Sequence, residues 1–134
     1  MRESRFLIFC KMEHLAESRI QQQIVQWYQN TYCLSHHNPR NMILSIPNGG
    51  TRDVREAMTL KATGLLPGAS DLIVLHNRQV LWVEVKTPTG TQSPAQKDFA
   101  SRVVAMGFVY KIVRSLLEFQ EFISNLALNA QGTS

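Results

Sequence analysis

The sequence predicts an α/β fold in which one mixed four-stranded sheet is flanked by helices. Two observations predict this class. Helix-like and strand-like patterns alternate along the chain in the order helix, strand, helix, hairpin, helix, strand, helix. The hairpin lies between Gly68 and Lys86, where two apolar runs flank a polar turn and therefore pair antiparallel. The other strands are separated by helices, which places helices on the faces of the sheet.

Length and composition indicate one globular domain. The chain has 134 residues, and we expect the domain to span residues 13–128, followed by a frayed tail over residues 129–134. The apolar fraction is 44%, and no apolar run is long enough to cross a bilayer, so we expect a soluble, cytoplasmic protein without a membrane partner. The net charge of +4 and a pI near 9.4 favour a polyanionic partner.

The first twelve residues are predicted to be a lead outside the domain. The apolar run Phe6–Cys10 is too short for a signal-peptide core and lacks a following cleavage site, so we expect a disordered lead or a strand that serves as an interface. The helical pattern starts just after Met12, which makes Met12 an alternative start to Met1.

The first helix is predicted over residues 13–30, because its apolar residues recur at helical spacing: Ile20, Ile24 and Trp27. Glu17 lies one turn before this apolar stripe and borders it. It is either a solvated helix acid or an acid that faces a site. A short buried strand over residues 42–46 and a turn over residues 47–50 follow.

The second helix is predicted over residues 52–62, with Gly64 as its stop. Its cations Arg52, Arg55 and Lys61 form either an ordinary solvated face or a set of phosphate contacts. The loop Gly64–Gly68 that follows would allow the backbone to approach another group closely.

The register of the hairpin brings acidic residues together. If Asn77–Arg78 is a two-residue turn, stepping outward along both strands places Asp71 opposite Glu84. Side chains alternate along a strand, so Glu84 and Lys86 share one face. The three side chains therefore converge on one patch.

This patch predicts a site for a divalent metal ion. Two adjacent carboxylates repel each other unless a proton or cation lies between them, and hard oxygen ligands favour Mg²⁺ or Mn²⁺. Asp71, Glu84 and the Val85 carbonyl are the candidate ligands, and Lys86 would orient a water or stabilise charge on a phosphate. Such an arrangement suits phosphodiester hydrolysis. The alternative is that Asp71 only begins a strand and Glu84 pairs with Lys86 on an exposed face.

The third helix is predicted to start at Ser93, because Ser93 and Gln96 match a capping box. The cap alone is a complete structural explanation for Gln96. A strand over residues 108–113 follows, and a last helix is capped by Ser115 and Glu118.

The two cysteines, Cys10 and Cys33, form no disulfide framework and suit a reducing compartment. Their spacing to nearby histidines, His14 for the first and His36 and His37 for the second, allows a zinc site as a less favoured alternative.

The predicted metal site and the residues around it resemble the VRR-NUC (virus-type replication-repair nuclease) domain of the PD-(D/E)xK nuclease superfamily. The similarity lies in Ser70-Asp71 followed by Glu84-Val85-Lys86, with Glu17, the loop Gly64–Gly68 and Ser93-Pro94-x-Gln96 as further features. Ser70 stands where the family usually has proline, which affects the start of the strand more than the chemistry.

The resemblance implies a restriction-endonuclease-like αβββαβ core and a Mg²⁺- or Mn²⁺-dependent DNA endonuclease. It assigns Asp71 and Glu84 as metal ligands and Lys86 as the catalytic lysine, with Gln96 and Glu17 as supporting site residues. Stand-alone members of this size resemble viral or prophage proteins that dimerise and cut branched DNA, particularly four-way (Holliday) junctions. A homodimer acting on duplex or branched DNA in a bacterial or phage-infected cell is therefore expected.

Two other functions stay open at this point. One is a nucleic-acid-binding or assembly module that keeps the nuclease fold without cutting. The other is hydrolysis of a different phosphodiester such as RNA. The sequence has no exposed aromatic run of the kind that stacks on single strands, which favours duplex or branched DNA.

Overall fold

A computed structural model describes residues 4–34, 40–47 and 54–132 of the chain. Four helices and four strands alternate in the predicted order, with a short π-helical segment, Gln29–Cys33, after the first helix. The elements are α1 (Arg5–Tyr28), β1 (Asn41–Ser45), α2 (Val54–Ala62), β2 (Leu72–His76), β3 (Gln79–Val85), α3 (Pro94–Ala105), β4 (Val109–Val113) and α4 (Leu116–Gly132).

The four strands form one mixed sheet in the order β1-β2-β3-β4. Strands β1, β2 and β3 pair antiparallel, whereas β4 lies parallel to β3. Parallel neighbours need a crossover connection, and α3 provides it. The mixed four-stranded sheet flanked by helices confirms the predicted fold class.

The hairpin turn has the predicted two residues. Asn77 and Arg78 have positive φ angles of 47° and 70°, as a type I′ turn requires. His76 therefore pairs with Gln79, and the register predicted from the turn is confirmed.

The sheet buries apolar side chains on both faces. Helices α1 and α4 cover one face, where the fully buried residues include Ile24, Tyr28, Leu72, Val83, Val85, Phe119 and Ile123. Helix α3 covers the other face, where Phe99 and Val103 pack with Trp82 and Tyr110. Because side chains alternate along β3, Glu84 points toward the face of the sheet that α3 covers.

Helix α1 starts earlier than the sequence analysis predicted. It begins at Arg5 rather than Glu13, so the strand considered for Phe6–Cys10 is wrong. A five-residue apolar run does not by itself distinguish a strand from a helix. No glycine or proline interrupts residues 5–12, so a helix anchored further along the chain extends through them.

Other predicted bounds either differ from the structure or lie outside the described residues. Helix α4 continues to Gly132, beyond the expected domain end at residue 128. The predicted start of α2 at Arg52, the turn over residues 48–50 and the histidines His36 and His37 lie outside the described residues. The zinc alternative and the domain limits therefore stay predictions.

Candidate active site

The two predicted acids meet at the end of the hairpin. Asp71 directly precedes β2, and its Oδ2 accepts a hydrogen bond of 2.7 Å from the backbone N–H of Val85 in β3. This bond continues the pairing of the hairpin strands beyond Leu72, because the Asp71 side chain accepts it in place of a backbone carbonyl. Asp71 is thereby fixed next to Glu84.

The backbone carbonyl of Val85 is a candidate metal ligand because of the direction in which it points. The N–H and the carbonyl of a strand residue point toward the same neighbouring strand. The Val85 N–H points toward Asp71, whereas the next N–H along the chain, that of Lys86, donates to the Val113 carbonyl on the opposite side. The Val85 carbonyl therefore faces the Asp71 side.

Glu84 is almost completely buried, with 1% of its surface exposed. Its Oε1 accepts a hydrogen bond of 2.9 Å from Nε2 of Gln96. Its Oε2 is buried and accepts no hydrogen bond from a donor group of the described residues, and its neighbour is the Asp71 carboxyl, with which Glu84 can share a proton. A buried oxygen without a partner is costly, so this atom marks the position of a proton or a cation.

The pKa values of Glu84 and Asp71 agree with a proton or a cation at this position. Burial raises the pKa of Glu84 to about 9, and the adjacent Asp71 contributes to the rise. Burial also raises the pKa of Asp71, although the hydrogen bond from Val85 opposes the rise. Two neighbouring buried carboxylates do not both ionise unless a positive charge joins them.

Lys86 lies close enough to act on these acids electrostatically. It is 7% exposed, and its charge lowers the pKa values of Asp71, Glu84 and Glu17, against the larger effect of burial. Such a buried ammonium group is retained when carboxylates compensate its charge. The exposed Glu84–Lys86 pair considered as an alternative is wrong, because both residues are buried.

Gln96 has two roles at once. Its Oε1 accepts a hydrogen bond of 2.8 Å from the Ser93 N–H, and its own N–H donates to Ser93 Oγ at 3.2 Å, which confirms the predicted capping box. Its Nε2 remains available and donates to Glu84. The same side chain therefore caps α3 and orients a site carboxylate.

The glycine loop joins the hairpin to α3. Gly68 has a φ of 82°, and a methyl group at its Cα would overlap the Ala95 backbone and lie 2.7 Å from the Gln96 backbone nitrogen. Gly64 also has a positive φ, 109°, but lies in open space. The close approach expected for this loop is therefore made by Gly68 to the first turn of α3.

Ser70 occupies the position where the resemblance expects proline. It is buried, and its hydroxyl donates to the Leu72 carbonyl at 3.2 Å. At the start of β2, a serine side chain thus forms a hydrogen bond with the backbone two residues further along the chain.

Helix α1 closes the site from the opposite side. Seven residues line a cavity of about 190 Å³: His14, Glu17, Ser18, Gln21, Asp71, Glu84 and Gln96. Burial raises the pKa of Glu17, Lys86 opposes this, and Asp71 adds to it. The structure therefore brings Glu17 to the predicted acids.

Three lining residues were not predicted to belong to this site: His14, Ser18 and Gln21. Together with Glu17 they occupy spacings of three, four and seven residues, which place them on one face of a helix. This polar stripe was the available signal. Whether this stripe faces a site depends on where α1 docks on the sheet.

The loop after Lys86 is held by Arg114, which was also missed. Its guanidinium donates to the carbonyls of Thr87 at 2.7 Å and Gly90 at 2.6 Å. The Thr87 hydroxyl donates to Glu13 Oε1 at 3.1 Å, which ties the loop to α1. No sequence pattern indicates such side-chain bonds to loop carbonyls.

The candidate phosphate contacts on α2 are less well placed. Arg55 and Lys61 are exposed, and neither lines the site cavity. Arg52 lies outside the described residues. A phosphate role for these cations stays a prediction.

The donor set fits a hard divalent cation. Within the described ranges, no three His, Cys, Asp or Glu side chains are grouped closely enough to hold a metal on their own. Mg²⁺, however, usually keeps several waters and is bound by one or two carboxylates together with substrate phosphates. Asp71, the free oxygen of Glu84 and the Val85 carbonyl are such a partial set.

Comparison with known proteins identifies the family. The sequence matches the family model of the VRR-NUC domain over residues 3–116. The chain belongs to the VRR-NUC family. Membership confirms the resemblance drawn from the motif residues, and it implies a nuclease fold.

Two solved structures share the fold of this VRR-NUC domain. One, described as a "VRR_NUC domain protein", is 18% identical with a TM-score of 0.59, covering 84% of this chain and 86% of the other. The second, described as a "VRR_NUC domain", is 19% identical with a TM-score of 0.57, covering 81% and 95%. No curated protein matches the sequence. Across the parts of the chain that the structure describes, no helix is long and apolar enough to span a membrane.

Proposed function

We propose that this VRR-NUC domain is a Mg²⁺- or Mn²⁺-dependent DNA endonuclease. The observation that carries the proposal is the buried, unpartnered Oε2 of Glu84 beside Asp71. A buried carboxylate oxygen without a hydrogen-bond donor calls for an explanation, and a divalent cation between Glu84 and Asp71 would satisfy it.

Asp71, Glu84 and the Val85 carbonyl would hold the cation. When bound, it would polarise the phosphate and lower the pKa of a water. The Val85 N–H orients Asp71, and the Gln96 amide orients Glu84, so both acids are fixed before substrate arrives. Lys86 supplies a positive charge beside them to stabilise charge that develops on the phosphate.

Glu17 and His14 lie on α1 and line the same cavity. A carboxylate there can hold a water that belongs to the cation's hydration shell, without binding the cation directly. We assign Glu17 this supporting role.

The substrate proposed is branched DNA, such as a four-way junction, cut by a homodimer in the cytoplasm of a bacterial or phage-infected cell. Membership of the VRR-NUC family supports this choice, because the motif resemblance implies that stand-alone members of this size dimerise and cut branched DNA. A pair of cuts at a junction needs two active sites, and the described residues contain one.

The test uses the purified protein with labelled duplex, single-stranded, flap and four-way junction DNA, and with a labelled RNA hairpin. We expect cutting with Mg²⁺ or Mn²⁺, none with chelator, and a loss of at least about a hundredfold in Asp71→Ala and Glu84→Gln. Glu84→Gln should still bind DNA, because the amide keeps the size of the side chain.

Three results would contradict the proposal. Cutting that survives chelation or Asp71→Ala would exclude the metal mechanism. Binding without cutting of any DNA would favour the non-cleaving module. Cutting of an RNA hairpin in preference to every DNA would assign a different substrate.

A further inference from the structure

A second cavity lies beside the active site, between α1 and the outer edge of β1. It has a volume of about 740 Å³ and is lined by Ser18, Gln21, Gln22, Val25, Gln26, Gln29, Ile43, Leu44 and Ser45. We call it the glutamine groove. Ser18 and Gln21 also line the active-site cavity, so the two spaces share a wall.

The lining of the glutamine groove is polar but uncharged. Four glutamines and two serines offer donors and acceptors, and no carboxylate is present to repel a phosphate. By contrast, a cavity beside α4 is lined by charged residues, namely Glu118, Glu121 and Lys111. Hydroxyls and side-chain amides bind phosphate oxygens and sugars, and amides also read base edges.

The content of charged residues changes along α1 where the helix lines this groove. From Ile20 to Cys33 the chain carries no charged residue, whereas the preceding part of α1 has several. A solvated helix face normally carries charges of both signs. A face of glutamines is better explained by a ligand that contacts it, because side-chain amides can donate hydrogen bonds to the phosphate and sugar oxygens of a strand.

We propose that the glutamine groove holds the DNA strand on one side of the scissile phosphate. The inference rests on the nuclease function proposed above. From His14 at the active site to Gln29, the first residue of the π-helical segment that follows α1, the chain advances 15 residues, about 22 Å at 1.5 Å per residue. That length matches roughly six nucleotides at 3.4 Å each.

The test changes the charge of the groove without removing any site residue. Gln22 and Gln26 are exposed, so a charged replacement is tolerated by the fold. The double variant Gln22→Glu/Gln26→Glu should raise the KM for DNA cleavage about fivefold for each carboxylate, because two charges at contact distance in water interact by about 1 kcal/mol. Gln22→Lys/Gln26→Lys should lower KM and add nearly two to the magnitude of the log–log salt slope.

Two controls separate this inference from the proposed function. Gln23→Glu adds the same charge to the same helix, at an exposed residue that does not line the groove, and should leave KM near the wild-type value. Hydrolysis of bis(p-nitrophenyl) phosphate needs only the active-site cavity, so every glutamine variant should hydrolyse it at the wild-type rate.

Several outcomes overturn the inference. If the Glu and Lys pairs both cut DNA with the wild-type KM, or if Gln23→Glu matches the double variant, the groove does not bind DNA. If light scattering shows that the Glu pair changes the oligomeric state, the groove is a subunit interface. If the wild type hydrolyses neither DNA nor the small phosphodiester, the nuclease function itself has failed, and the groove inference fails with it.

Discussion

At the scale of single residues, the site depends on a buried acid whose protonation is coupled to its neighbours. Glu84 is held by Gln96 on one oxygen and has no partner among the described residues on the other. The sequence predicted that Glu84 and Asp71 would be adjacent. It did not predict the depth of burial, because that depends on how α1 and α3 cover the end of the sheet.

This burial predicts a pH dependence of stability in the metal-free protein. The pKa of Glu84 is about 9 in the folded state and near its ordinary 4.5 in the unfolded chain. Between these values the folded state keeps a proton that the unfolded state releases, so the free energy of unfolding falls as pH rises. Urea denaturation with chelator, between about pH 5 and about pH 9, should show this decline.

Glu84→Gln cannot titrate and should show a smaller decline over the same interval. The matched control is Glu121→Gln, which changes an exposed glutamate and should keep the wild-type slope. Added Mg²⁺ or Mn²⁺ should stabilise the wild type more at the high end of the pH range. Equal slopes for the wild type and Glu84→Gln would show that Glu84 ionises normally.

The two roles of Gln96 can be separated by a pair of variants. Gln96→Glu keeps an acceptor for the Ser93 N–H but loses the donor to Glu84 and adds a third negative charge. It should lose at least about tenfold in kcat, the effect of one hydrogen bond to a charged group, while the helix cap is kept.

Ser93→Ala has the opposite pattern. It should lower the free energy of unfolding by about 1 kcal/mol through the lost cap, with a smaller change in kcat. Steady-state kinetics and urea denaturation of both variants give the comparison. If Ser93→Ala reduces kcat as much as Gln96→Glu, the Gln96 contact serves only the cap.

At the scale of elements, the site forms where α1, the hairpin and α3 meet. The hairpin supplies Asp71, Glu84 and Lys86, α3 supplies Gln96, and α1 supplies Glu17. Each element is predicted by the sequence pattern, although the predicted start of α1 is eight residues too late. The missed polar stripe of α1 shows that a helix face is assigned to a site only when its docking is known.

Gly68 tests the contact between the hairpin and α3. Gly68→Ala adds a methyl group that overlaps the Ala95 backbone in a left-handed conformation, so it incurs both strain and a clash. Gly64→Ala incurs the strain alone, about 1–2 kcal/mol, because nothing lies within 4 Å. Gly68→Ala should therefore be less stable than Gly64→Ala in urea and should also cut DNA more slowly.

Equal stabilities of the two variants would contradict the close approach. A Gly68→Ala protein that is destabilised but fully active under folded conditions would show that the contact supports the fold without positioning the site.

At the scale of the whole molecule, the structure offers a surface for the proposed homodimer. Large apolar side chains are exposed along one face of the start of α1: Ile8, Phe9, Met12 and Leu15. Their spacing is that of an amphipathic stripe. A two-fold dimer would bury the same patch on both subunits.

We therefore expect light scattering to give twice the 15.2 kDa mass of one chain. Phe9→Glu/Met12→Glu should shift the protein toward monomer, because the two side chains, 60% and 64% exposed, would place charges in the interface. Leu117→Glu is the control, since Leu117 is 63% exposed on α4. A monomeric wild type would contradict the dimer, and dissociation by Leu117→Glu alone would place the interface elsewhere.

The sequence by itself determined the local geometry of the site. A two-residue turn and the alternation of side chains along strands place Asp71 opposite Glu84 and Lys86 on the same face, and a four-residue pattern predicts the cap at Gln96. These relations hold because each depends on residues close together in the chain, with fixed periods of two or of 3.6 residues.

Only the tertiary structure decided what surrounds those residues. It buries Glu84 and leaves one of its oxygens without a partner among the described residues, it turns the Gln96 amide toward Glu84, and it brings Glu17 across from α1. It also forms the glutamine groove between α1 and β1. The physical reason is that burial and contacts between elements depend on how helices dock on the sheet, and docking involves residues far apart in sequence.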